Sequence, residues 1–243
     1  MVLAALRGAL GFLTRLPIGH DERAWEAFRR TPAAFPLAGY FIGLLIALPF
    51  LLPAPDSTTA AAFLVTIYLV TGINHADGVA DLGDAAAVHG DREKRRDIMR
   101  DTTTGVGAIL ALGVVLLGVA LAGLSLAALP LATAIGIVIA AEVGAKFGIA
   151  LLICLVEPAH EGMGSGFLEN ENALAGPLLV ALPAAVLSIP TLAAVAGAAL
   201  AAFLLGQWAT NRLGGVSGDV LGAANELGRL VALHAGVIAW TLF

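Results

Sequence analysis

The sequence predicts an all-α protein: a polytopic transmembrane helical bundle of six to seven spans, with its N-terminus in the cytoplasm. Three observations lead there. Of 243 residues, 59% are hydrophobic and 13% charged, against about 25% charged in an ordinary soluble domain. Mean hydropathy is +0.91. Several apolar runs are continuous and approach the roughly 20 residues that cross a bilayer, whereas a β-barrel would show short alternating segments. We read one integral-membrane domain, 1–243, with no second soluble domain and no internal repeat. Arg7 interrupts the first apolar run and no small-residue cleavage site follows, so no signal peptide is expected. The single cysteine, Cys154, excludes an intrachain disulfide and a cysteine-rich metal site.

Residues 1–30 read as an amphipathic segment at the cytoplasmic surface, ending in the charged "HDERAWEAFRR". Spans are expected at about Ala33–Leu52 and, after the "PAPD" turn, Thr58–Ile73. Residues 74–103 form a cytoplasmic loop carrying an aspartate motif. Further spans follow at about Thr104–Gly123, Pro130–Val156, Leu174–Ser188 and Leu192–Ala209. Residues 212–228 form a Gly-rich cytoplasmic loop, and Leu227–Phe243 is short for a full crossing. Numbering the loops alternately puts Arg15, Arg23, Arg29, Arg30, Arg92, Lys94, Arg95, Arg96, Arg100, Arg212 and Arg229 on one side, with no Lys or Arg opposite. The positive-inside rule makes that side cytoplasmic, and every acidic motif falls on it.

"TGINHADGVADLGDA" (71–85) carries the chemistry. Asp77, Asp81 and Asp84 are spaced four and then three, so on a helix they share one stripe, with Asn74 near its edge and His75 pointing roughly the other way. Like charges at this spacing oppose each other, and acids at a membrane edge mark function by default. A divalent cation resolves the conflict, and all-oxygen ligands favour Mg²⁺, Mn²⁺ or Ca²⁺ over zinc. Gly78 suggests the close approach of a phosphate or nucleotide. Asp101 precedes a hydroxyl- and Gly-rich helix start suited to an anion, with Thr102 or Thr103 as its cap. Glu142 and Lys146 form either a self-neutralising pair or, through Lys146, a phosphate contact. "NRLGGVSGDVLGAANE" sets Asp219, Asn225 and Glu226 beside Arg212, a second candidate for metal or phosphate. His160 and Glu161 are weaker candidates.

The residues Thr71, Gly72, His75, Asp77, Gly78, Ala80, Asp81 and Asp84 resemble the signature of the cobalamin synthase family, approximately T-G-G-L-H-L-D-G-L-A-D-T-A-D. "FLTRLPIG", "FPLAGYFIGLL", "IMRD", "EGMGSGF" and "GGVSGDVLGAANE" are similar to family segments in the same order, so the resemblance covers nearly the whole chain. Ile73, Asn74 and Ala76 depart from the signature, and Lys146 stands where an arginine is expected. The resemblance implies an adenosylcobinamide-GDP ribazoletransferase, a Mg²⁺-dependent enzyme that joins α-ribazole or its 5′-phosphate to adenosylcobinamide-GDP and releases GMP. It implies Mg²⁺ on Asp77, Asp81 and Asp84 with Asp219 added. Asp84 or His75 would be the base, and Asn74, Gly78, Asp101, Lys146, Arg212 and Glu226 would contact substrate. The partners implied are these small molecules and membrane lipid, with no nucleic acid, and the sequence leaves room for a homo-oligomer. The setting is the cell membrane, with the site on its cytoplasmic face.

Three rivals fit less well. Asn74, Asp77 and Asp81 spell the N-x-x-D-x-x-x-D of UbiA-type prenyltransferases, but no second such motif follows. A CDP-alcohol phosphotransferase would want an arginine where Asp81 stands. An ion-coupled transporter would place its acids near the midplane in paired, broken helices.

Overall fold

In a computed structural model, the described residues are 2–19, 21–159 and 174–243. His160, Glu161 and the "EGMGSGF" segment lie outside them. Eleven α-helices follow in order among the described residues. α1 (Val2–Leu13) and α2 (Glu22–Arg29) pair as a hairpin, closed by the Arg7–Asp21 ion pair at 2.9 Å. Asp21 also caps α2 by accepting from the Arg23 and Ala24 amides.

Four segments are long and apolar enough to cross a membrane. They are Ala34–Leu51, made of α3 (Ala34–Ile46) and a 3₁₀ turn, then α7 (Val106–Ala127), α8 (Leu131–Leu155) and α10 (Ile189–Arg212). α4 (Asp56–Thr71) and α5 (Asn74–Ala87) qualify only as a pair, bent by 99°, which makes five spans if the pair counts as one. The described residues are therefore all-helical with four to five candidate spans, against the six to seven expected. The difference has local causes. α9 (Ala175–Ala185) is only 11 residues long. The polar start and apolar end of the C-terminal region, which read as a loop and a short span, are one 25-residue helix, α11 (Gly218–Leu242). The expected 74–103 loop is likewise helical, as α5 and α6 (Arg92–Arg100).

α8 forms the centre of the bundle. Sixteen of its residues are buried, and it packs on α3, α10 and α11. Small residues let the helices close. A Cβ on Gly39 would fall 2.7 Å from the Val143 Cα, and one on Gly148 would fall 2.8 Å from the Ala202 Cβ. Close approach through small residues is how helices pack where no water drives them together.

The bend before α5 is built on Gly72, whose φ of 74° favours glycine. The Arg15 amide donates to the Val70 carbonyl at 2.8 Å, tying the end of α1 to this corner. The turn takes α5 out of the line of α4, so the aspartate helix stands outside the four straight spans.

Candidate functional site

α5 is clamped from two sides by backbone contacts. Towards α11, a Cβ on Gly78 would sit 2.4 Å from the Asp219 carbonyl oxygen, and one on Gly222 would meet the His75 Cα at 3.1 Å. Towards α7, a Cβ on Gly83 would sit 2.6 Å from the Gly107 oxygen. Gly78 is buried, and the close approach it permits is that of α11, where the sequence suggested a phosphate.

This crossing brings Asp219 to the stripe of α5. Asp77 is exposed, while Asp81, Asp84 and Asp219 are half-buried. Burial and the charges of Asp77, Asp219 and Asp84, in that order, push the Asp81 carboxyl up to about 6. Four carboxylates from two helices thus share one electrostatic neighbourhood, the three of the α5 stripe and Asp219 of α11. Among the described residues, no three of the His, Cys, Asp and Glu side chains form a ready-made metal cage. The donor set instead fits a Mg²⁺ that takes one or two carboxylates and completes its shell with phosphate oxygens and water.

Asp84 has a second task. Its Oδ2 accepts from the Gly105 amide at 2.7 Å and its Oδ1 from the Ala108 amide at 2.9 Å, satisfying two free N–H groups at the start of α7. This carboxylate, rather than Thr102 or Thr103, caps that helix. The Thr103 amide donates to Asp101 at 3.0 Å, and Asp101 is exposed.

A cavity of about 380 Å³ opens beside the cluster. Asn74, His75, Asp77 and Asp219 line its polar side. Despite the ideal-helix expectation, His75 therefore borders the same space as Asp77. Its Nδ1 is buried and has no hydrogen-bond partner among the described residues. Burial pushes the imidazole down to about 4, against the opposing charge of Glu226, so the ring is neutral at pH 7. On the other side of Asp219 lies a narrow cleft of about 30 Å³, walled by Arg96, Arg100 and Ser217.

Beneath the cavity lies a sealed charge network. Glu142 and Lys146 of α8 and Glu226 and Arg229 of α11 are each 0% exposed. Glu142 pairs with both Lys146 and Arg229, and Arg229 also donates to Glu226 at 2.6 Å. Tyr68 donates to Glu226 at 3.2 Å, and the Asn225 amide donates to Glu226 at 3.0 Å. Two carboxylates and two cations sum to zero, which makes their burial tolerable. Lys146 and Glu226 are thus buried in the network, so the self-neutralising reading of the Glu142–Lys146 pair describes it. Arg212 is exposed at the end of α10 and borders neither cavity.

Sequence reasoning counted Arg229 among the charges on the cytoplasmic side. It is instead the largest fully buried side chain among the described residues. Arg95, also counted as a surface charge, is buried and donates to the Ala85 and Ala86 carbonyls, capping the C-terminal end of α5. The spacing of Glu226 and Arg229, three apart at the edge of an apolar run, was the available signal for the first.

The model of a family described as cobalamin-5-phosphate synthase matches residues 5–237. An adenosylcobinamide-GDP ribazoletransferase of Halorubrum lacusprofundi is 54% identical, covering 100% of both chains. One of Haloquadratum walsbyi is 44% identical over 100% of both, and one of Archaeoglobus fulgidus is 32% identical over 99% of this chain and 100% of its own. No solved structure matches.

Proposed function

The chain belongs to the cobalamin-5-phosphate synthase family, and on that premise we propose that it transfers α-ribazole, or its 5′-phosphate, onto adenosylcobinamide-GDP at the inner face of the cell membrane. It is an enzyme of cobalamin synthesis. In the reaction a ribose hydroxyl oxygen bonds to the phosphorus that carries the cobinamide. The P–O bond to the guanylate breaks, GMP leaves with the electron pair, and the hydroxyl proton passes to a carboxylate at the cavity mouth.

The observation that carries this reading is the gathering of Asp77, Asp81, Asp84 and Asp219 around one glycine-lined crossing. Mg²⁺ held there would neutralise charge on the diphosphate and the leaving GMP. We assign Asp81 to it, joined by Asp77 or Asp219, in keeping with a shell of one or two carboxylates. Asp84, with both oxygens engaged by α7, holds the stripe against that helix and is less free to act as the base than the sequence suggested. His75 and Asn74 line the cavity and orient the hydroxyl. Arg96 and Arg100, beside Asp219, face the diphosphate. Lys146 and Glu226 support the site from below.

The test is product formation by purified protein in detergent, with adenosylcobinamide-GDP, α-ribazole and Mg²⁺. We expect GMP release and corrinoid product that depend on Mg²⁺ and vanish in Asp81→Asn. Undiminished turnover by Asp81→Asn would remove the metal assignment, and turnover of a prenyl diphosphate instead would remove the reaction.

A further inference from the structure

We propose that the cavity between α1 and α5 seats the smaller substrate, a riboside of a flat aromatic base, with its base towards α1 and its ribose towards Asp77 and Asp219. This rests on the functional reading above and adds which substrate enters, from which side, and in which orientation.

Size argues first. At about 380 Å³ the cavity lies at the low end of the roughly 300–1,000 Å³ range of small-molecule sites. It suits a two-ring base with one sugar. A corrin macrocycle with its side chains is several times larger and has to remain outside.

The lining gives the direction. The lining residues from α1, α3 and α8 are apolar, with Phe12, Leu13, Phe35 and Ile149. Those from α5 and the start of α11 include the polar Asn74, His75, Asp77 and Asp219. An aromatic base stacks on side chains of the first kind, and ribose hydroxyls hydrogen-bond groups of the second. The buried Nδ1 of His75, without a partner among the described residues, marks the polar lining as incomplete.

Asp219 supplies the third argument, because it borders two spaces of opposite character. One is this aromatic cavity, and the other is the cleft of Arg96 and Arg100. Arginines suit phosphate oxygens. A hydroxyl delivered from the first space and a phosphate approaching the arginines of the second would meet at the carboxylate that borders both.

The test uses two variants at the α1 wall, away from the carboxylates. A Cβ on Gly11 meets nothing within 4 Å, so Gly11→Trp can occupy the space without a clash at its root. Phe12→Ala removes an aromatic face from a residue that is 42% exposed. In both, we expect the riboside KM to rise about tenfold, the scale of one lost base–aromatic contact, with the KM for adenosylcobinamide-GDP unchanged. The second KM also reports folding. Unchanged riboside KM in both variants, or an equal rise in both constants, would overturn the proposal. Direct titration of α-ribazole by its fluorescence, without the second substrate, separates the two layers. Wild-type protein that binds the riboside but never turns it over would refute the reaction and leave the cavity assignment standing. Wild-type turnover with binding indifferent to both variants would refute the cavity assignment alone.

Discussion

The carbonyl oxygen of Asp219 lies 2.4 Å from where Gly78 would carry a Cβ. The two residues are 141 positions apart (219 − 78), yet this contact sets how near the aspartate stripe comes to α11. Gly78→Ala has no flexible neighbour to displace, only backbone. We expect a loss of about 1–3 kcal/mol, the cost of overpacking, outweighing the better helix propensity of Ala. Thermal unfolding in detergent should show the drop, with activity falling alongside. An unchanged melting temperature would mean that the crossing is looser than described.

Asp81 and Asp84 should separate by substitution. Asp84→Ala leaves two amides of α7 without acceptors, at about 0.5–2 kcal/mol, as for other lost helix caps. Asp81→Asn removes a carboxylate that its neighbours oppose, so stability holds or rises while activity is lost. Melting curves of both variants without metal check the contrast.

The same repulsion sets a pH dependence. A carboxyl raised to about 6 when folded, from a usual value near 3.9, binds its proton more tightly in the folded state. Its contribution to stability is therefore greatest below pH 4 and is lost as pH rises through 6. Without added metal, we expect the melting temperature of wild type to fall across this window relative to Asp81→Asn. Adding Mg²⁺ above pH 6 should restore it. Parallel curves for the two proteins would remove Asp81 as the group responsible.

The buried network predicts non-additivity. Arg229→Met leaves Glu226 and Glu142 facing one cation instead of two, and breaking such a buried set costs about 3–5 kcal/mol. Removing Glu142 and Lys146 together, as Leu, leaves Arg229 with Glu226 and no net charge. We expect the double variant to be more stable than Glu142→Leu alone. Chemical unfolding of the three variants would decide it.

Much of the bundle was legible because hydropathy and helical periodicity are local. The expected spans at about Ala33–Leu52, Thr104–Gly123, Pro130–Val156 and Leu192–Ala209 coincide with Ala34–Leu51, α7, α8 and α10 within a few residues. The stripe of Asp77, Asp81 and Asp84 followed from spacing alone. The rest depended on partners far along the chain. Nothing near Arg229 announces Glu142, which lies 87 residues away, and nothing near Gly78 announces α11. The 99° bend hid for another reason. Gly72 needs positive φ, and hydropathy averages across such a corner without registering a change of direction.

The four-charge network also constrains how the protein is made. Synthesis delivers α8 with Glu142 and Lys146 on successive turns, a pair already neutral by itself, so this helix can enter the bilayer early without a stranded charge. Glu226 and Arg229 arrive later on α11, three residues apart and again self-cancelling. Each half travels as a neutral unit, and only the meeting of α8 with α11 exchanges partners. α11, made after α8, is therefore the helix that locks the central one, and a chain stopped before it would leave Glu142 without its Arg229 partner.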